Sequence, residues 1–218
     1  MLIFISQRAS RNRYGASIDS LESSYIQFFD NIAPTSNQPV IIPVPNSRVN
    51  VQKLLSQFCP DLFVLSGGNN VPPGECDPIS PIDDLAPERD TTEKQLITFA
   101  LENKVPMLGI CRGFQFINSY FGGKITYNLK NHPDGQAHTC IFQNKHYLVN
   151  SFHHHGIHRQ DLAEKLKPLA STTDGEIIEA FASKPECATK ILGVQWHPER
   201  KNGSKDLFQK LFSRFIGT

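Results

Sequence analysis

The sequence predicts a three-layer α/β domain built on a mainly parallel central sheet. Short, almost wholly apolar runs at 2–5, 40–44, 62–65 and 107–110 have the length of strands and no polar alternation, as strands buried on both faces do. Segments with apolar residues at helical spacing lie between them, at 18–32 and 91–101. Strands that alternate with helices make βαβ units, and βαβ units make parallel sheets.

Taken in order, 2–5 is the first strand and 18–32 the first helix. After the strands at 40–44 and 62–65, residues 69–88 are rich in Pro, Asp and Gly and read as a long surface loop, often a functional feature. The next helix, at 91–101, starts at Thr91-Thr92-Glu93, with a capping residue and an early acid. Residues 114–121 follow the strand at 107–110 with a helical pattern. The stretch 125–152 has few helix signals and is expected to be extended, with antiparallel pairing. Residues 191–195 form a late strand, and 205–215 a last helix, carrying Leu207, Leu211 and Phe215 on one face. Without repeat, low-complexity tract or linker, 1–218 is expected to be a single domain.

Composition narrows the function classes. With 22 basic against 21 acidic residues and a net charge of +1, the chain carries no electrostatic footprint of a nucleic-acid or anionic-membrane binder. The opening apolar run is too short for a secretory signal and precedes its charges, and nothing approaches a membrane span. The five cysteines, at 59, 76, 111, 140 and 187, are odd in number and widely spaced, with no CxxC pair. Neither a disulfide framework nor a zinc site is expected, and a reducing cytoplasm fits best.

The sharpest local feature is Gly109-Ile110-Cys111-Arg112-Gly113, between a strand and a helix. This is the G-x-nucleophile-x-G elbow with cysteine as the nucleophile. The tight turn exposes the side chain at the strand's end, and the flanking glycines leave room for the backbone crossing. A cysteine at a helix N-terminus is stabilised as thiolate, and the backbone N–H of Arg112 is aimed at a developing oxyanion. A buried structural cysteine beside two turn glycines is the plainer alternative. Near the other end stands Trp196-His197-Pro198-Glu199, just past a strand. Two residues apart on extended backbone, His197 and Glu199 point the same way, so Glu199 can hold Nδ1 of the ring while Nε2 takes the thiol proton. Trp196 is expected to be packing.

With these motifs in place, the chain resembles the class I glutamine amidotransferase-like superfamily, whose fold is flavodoxin-like. The resemblance spans nearly the whole chain: Leu65-Ser66-Gly67-Gly68-Asn69, Pro87-Glu88-Arg89-Asp90, the elbow with Gln115, Val149-Asn150-Ser151-Phe152-His153-His154 and the WHPER run fall in family order. The Glu-Arg-Asp element, CRGFQFIN and WHPER are similar to the γ-glutamyl hydrolase branch, peptidase family C26. The resemblance implies hydrolysis of a γ-glutamyl amide through a thioester on Cys111, with a small-molecule γ-glutamyl substrate and neither cofactor nor metal. It implies a second oxyanion N–H from Gly67 or Gly68, with Gly68 preferred; Gln115 lining the glutamyl pocket; and the backbone of Asn150, Ser151 and Phe152 holding the glutamyl amino and carboxylate groups. Arg89 is a candidate carboxylate clamp or, equally, a structural ion pair.

The leaving group is less defined. The chain is short beside the γ-glutamyl-GABA hydrolases. Its length and Ser6-Gln7-Arg8 opening look more like a small subgroup from surface-polysaccharide gene clusters that includes a γ-glutamyl-CDP-amidate hydrolase. Arg8, Arg13 and the 69–88 loop are then candidates to meet a phosphate-bearing leaving group. A glutaminase subunit that feeds ammonia to a synthase is the alternative. A non-enzymatic relative would be expected to lack part of the triad, and all three members stand here. His153, His154 and His155 alternate sides on extended backbone and are not expected to share a metal.

Overall fold

The computed structural model of the protein describes residues 1–33, 38–73, 83–129 and 135–216. Among these, the main sheet runs β4 (Val40–Val44), β1 (Leu2–Ser6), β5 (Leu62–Leu65), β6 (Met107–Ile110), β12 (Ile191–Val194), β11 (Ile177–Ser183), β10 (Leu166–Thr172), β7 (His138–Phe142), β8 (Lys145–Val149). The first five are parallel to one another and the rest antiparallel. β9 (Ile157–His158) pairs with β11 off this path. The parallel half has the flavodoxin-type strand order. Its switch point lies between β1 and β5, where ligands of open α/β sheets gather.

The apolar runs alternate their side chains between two cores. Ile3, Ile5, Leu62, Val64, Leu108 and Ile110 face one side, together with α1 (Ser23–Ile32) and α5 (Lys205–Phe215). Phe4, Phe63, Leu65 and Met107 face the other, with α2 (Arg48–Gln57), α3 (Pro87–Asn103) and α4 (Arg112–Tyr120). Both faces are covered, which is why the strands read as unbroken apolar runs. Gly109 and Gly113 let α4 lie close on the sheet: a Cβ on Gly113 would sit 2.0 Å from the Leu65 carbonyl oxygen.

Several expected boundaries move. The helix expected over 18–32 begins only at Ser23. Its first part is β3 (Ser17–Ser20), paired antiparallel with β2 (Arg8–Arg11) in a separate hairpin. The serines there favour extended backbone, and Asp19 is held by the backbone and side chain of Asn46. The helix expected at 91–101 starts at Pro87, not at Thr91: proline fixes the first helical position, and Glu88 and Asp90 occupy the first turn. The long loop therefore ends at Ala86; its residues 74–82, Cys76 included, lie outside the described residues. Its two arms join through a bridge between Asn70 and Leu85. The stretch 125–152 contains the β7–β8 hairpin, whereas α2, β10 and β11 had no sequence expectation. Among the described residues no helix is long and apolar enough to cross a membrane.

Candidate active site

Three strand ends meet at the site. β6 ends at Ile110, and Cys111 follows with φ 52° and ψ −103°, a left-handed conformation costly for a residue with a Cβ. Its N–H donates to the Val194 carbonyl across the β6–β12 pairing, and α4 begins at the next residue. Cys111 is thus the N-cap of α4, and the unpaired N–H groups of the first turn, Arg112's among them, stand beside its side chain. Cys111 is buried, with 7% of the residue exposed.

β12 ends at Val194 beside Ile110, so the segment that follows runs past Cys111. Residues 195–200 form bends and a turn, and not the extended backbone expected over 197–199. Asn150 sets their shape: its side-chain oxygen accepts from the His197 N–H at 2.9 Å, and its amide donates to the carbonyls of His197 and Lys201, each at 2.9 Å. Within this turn His197 Nδ1 lies 2.6 Å from a Glu199 carboxylate oxygen, and the ring stands close enough to the Cys111 side chain to interact with it electrostatically. Burial alone would lower the His197 pKa. The Cys111 side chain and the Glu199 carboxylate beside the ring outweigh burial and hold it up at about 10. The arrangement suits a thiolate–imidazolium pair oriented by a carboxylate.

The third strand end is that of β5. Residues 66–69 turn beneath the site, with Gly68 at φ +82° and Asn69 at φ 58°. Gly67 is packed so closely that an added Cβ would lie 2.6 Å from His197 Cε1 and 3.2 Å from the Tyr25 hydroxyl. The Gly67 N–H donates to that hydroxyl at 2.8 Å, so it is already engaged. Tyr25 had no sequence signal. It is buried on α1 and its phenol is pushed well up, first by burial and then by the Glu199 charge, so it stays a neutral hydroxyl.

Arg89 is not available to clamp a substrate. It is fully buried, with Nε on Glu93 and Nη1 and Nη2 on the carbonyls of Ser66, Gly67 and Gly68. Its position one helical turn before Glu93 makes it a structural ion pair that supports the 66–69 turn. Gln115, one turn along α4 from Cys111, is also buried and donates to the His155 carbonyl at 2.9 Å and to the Gln195 side chain at 3.1 Å. Ser151 is buried. Phe152 is 43% exposed, edge-on to the His197 ring at 5.9 Å and under the Arg200 guanidinium at 4.9 Å, so it walls the mouth of the site. Arg200 in turn pairs with Glu22 on the surface. Arg8 follows β1 at the switch point: its stem passes Gly68 and its guanidinium meets Asp84 at 3.0 Å. Arg13, further along the β2–β3 hairpin, stacks on Tyr14. His153 Nδ1 meets the His155 carbonyl at 2.9 Å, and His155 Nδ1 accepts from the Asn128 N–H at 3.1 Å, which ties the histidine run to itself and to the segment before the β7–β8 hairpin. Trp196 is buried in the core, as expected of packing.

Comparison with known proteins agrees with this architecture. The family model of Peptidase C26 matches residues 2–199. The chain is 32% identical to YvdE of Lactococcus lactis, a glutamine amidotransferase-like protein, across 88% of this chain and 86% of that one. It is 40% identical to the γ-glutamyl-CDP-amidate hydrolase of Campylobacter jejuni across 66% of this chain and 64% of that one. It is 26% identical to the γ-glutamyl-γ-aminobutyrate hydrolase of Escherichia coli O157:H7 across 94% and 89%. Among crystal structures, a glutamine amidotransferase from Thermotoga maritima superposes with a TM-score of 0.56 at 16% identity, over 98% of this chain and 81% of that one, a likeness of fold. The chain belongs to the peptidase C26 family, the γ-glutamyl hydrolase branch of the class I glutamine amidotransferase-like hydrolases.

Proposed function

We propose that the protein hydrolyses a γ-glutamyl amide with Cys111 as nucleophile, His197 as acid and base, and Glu199 as the group that orients His197. One observation carries this reading: a cysteine in a left-handed strand-to-helix turn stands beside a histidine whose Nδ1 is 2.6 Å from a buried glutamate. The thiolate attacks the γ-carbonyl carbon, and the carbonyl electron pair moves to oxygen, which accepts from the N–H groups of Gly68 and Arg112. As the tetrahedral centre collapses, the C–N bond breaks and the His197 imidazolium gives its proton to the leaving nitrogen. The resulting γ-glutamyl thioester is attacked by a water that His197 deprotonates. The C–S bond breaks, glutamate leaves, and the proton on His197 restores the starting ion pair.

The glutamyl half of the substrate is read by the pocket near Gln115 and the 150–152 segment. For the leaving half we favour a phosphate-bearing group, as in γ-glutamyl-CDP-amidate, an intermediate of capsule phosphoramidate biosynthesis. The 40% identity to the Campylobacter jejuni hydrolase and the position of Arg8 beside Gly68 support this. The likeness to the γ-glutamyl-γ-aminobutyrate hydrolase over nearly the whole chain supports a plain amine as the second reading, with a glutaminase subunit as a third. Cys59, Cys111, Cys140 and Cys187 are free thiols, which supports a reducing, cytoplasmic setting. The test is a comparison of kcat/KM for γ-glutamyl-CDP-amidate, γ-glutamyl-GABA and glutamine. A preference for the nucleotide that narrows in Arg8→Ala protein is expected; equal or better cleavage of γ-glutamyl-GABA would rule out the nucleotide assignment.

A further inference from the structure

A cluster of four charged side chains lies buried beneath the site, and none of them touches the reacting atoms. Glu93 on α3 is its centre. One carboxylate oxygen accepts from Arg89 Nε at 2.9 Å and from the Ser6 hydroxyl at 2.7 Å; the other accepts from Arg112 Nη1. Asp90, one turn earlier, takes Arg112 Nη2. Burial would raise the Glu93 pKa, but Arg112 and Arg89 outweigh it and keep the carboxyl ionised. Two arginines thus meet two carboxylates, and the cluster is neutral.

Each arm of the cluster ends on one half of the oxyanion site. Arg89 gathers three successive carbonyls, of Ser66, Gly67 and Gly68. In a trans peptide the N–H points opposite to the C=O. Carbonyls turned toward Arg89 therefore turn the N–H groups of Gly67, Gly68 and Asn69 away from it. The Gly67 N–H bears this out by meeting Tyr25, on the side of His197 and Cys111. The Gly68 N–H is directed away from Arg89 in the same manner. Ser6 adds a second tie, since its hydroxyl also accepts from the Ser66 N–H at 3.0 Å. The other arm is Arg112, whose own backbone N–H is the first of α4. One carboxylate thereby holds both the turn after β5 and the residue after the nucleophile. A buried ion cluster is a poor source of stability compared with apolar packing, so its geometry, not its energy, is what distinguishes it.

We propose that Glu93 is a positioning residue that fixes the Gly68 and Arg112 oxyanion donors relative to each other, acting through Arg89, Ser6 and Arg112. This rests on the hydrolase reading above. The test pairs two measurements on Glu93→Gln protein: steady-state hydrolysis of a γ-glutamyl amide, and alkylation of Cys111 by iodoacetamide, a displacement that builds no oxyanion. Misaligned donors should lower kcat by about 10²-fold, as loss of one such donor does, with KM and the alkylation rate within about threefold of wild type. A kcat within about threefold of wild type would overturn the proposal, as would a parallel fall of turnover and alkylation, the mark of general disruption. If Glu93→Gln protein does not fold, Arg89→Lys decides by the same two measurements and limits, because lysine keeps the charge but cannot span three carbonyls. Wild-type protein that cleaves no γ-glutamyl amide would instead remove the hydrolase reading, and this inference with it.

Discussion

Gly67→Ala is the substitution whose effect the structure defines most sharply. The new Cβ would lie 2.6 Å from His197 Cε1, against an ordinary contact of 3.4 Å or more. The Gly67 backbone is outside the left-handed region, so alanine brings no conformational penalty of its own. Relief must come from the imidazole ring, which would retreat by about 0.8 Å, since repulsion rises steeply inside contact distance. Glu199 holds the ring at 2.6 Å and Asn150 holds its backbone, so the retreat comes at the cost of alignment with Cys111. A misplacement of about 1 Å costs roughly 10²-fold in rate, equivalent to about 2.7 kcal/mol of barrier. We expect kcat/KM for a γ-glutamyl amide to fall by that factor while the melting temperature stays within about 3 °C, a shift worth roughly 1 kcal/mol in a chain of this size. Turnover within threefold of wild type would refute the reasoning, because it would mean that His197 does not need its observed position.

Other outcomes follow from the same contacts. Gly113→Ala forces a Cβ against the Leu65 carbonyl, a backbone atom that cannot swing aside; overpacking of about 3 kcal/mol should lower the melting temperature by roughly 6–12 °C, and unchanged melting would contradict the close seating of α4. Asn150→Ala removes three hydrogen bonds to the 197–201 turn, worth about 1 kcal/mol each, and should lower both thermal stability and turnover. The raised His197 pKa sets an alkaline limb of kcat/KM near pH 10, and Glu199→Gln should move that limb down by about one pH unit; a limb that stays put would show that Glu199 does not hold the proton. Because the folded value lies above the unfolded value of 6.5, the stability this proton carries is complete below pH 6.5 and is lost as pH rises through about 10. The melting difference between wild type and His197→Gln should narrow over that interval.

What was legible in the sequence was what is local in the chain. The elbow at Cys111 and the His197–Glu199 pair each occupy a few consecutive residues, and the parallel strands are continuous apolar runs because both their faces are covered. Relationships between distant residues left no such pattern. Tyr25 meets Gly67 across 42 positions and Ser6 meets Glu93 across 87, so neither shows in any short window. Arg89 was legible as either a carboxylate clamp or a structural ion pair, but not as an arginine aimed at carbonyls of the 66–69 turn; only the packing of α3 against β5 decides that. The β2–β3 hairpin was hidden by Ile18, whose spacing to the helix that follows mimics a helical face, while the serines around it pair as a strand.

The central claim is that Cys111 carries the glutamyl group during turnover. Its most direct test is intact-mass and peptide analysis of protein acid-quenched during steady-state turnover of a γ-glutamyl amide. The account predicts a single glutamyl adduct on Cys111, absent from Cys111→Ala protein, which should be inactive. An adduct on Cys59, Cys140 or Cys187, or undiminished turnover by Cys111→Ala protein, would contradict it.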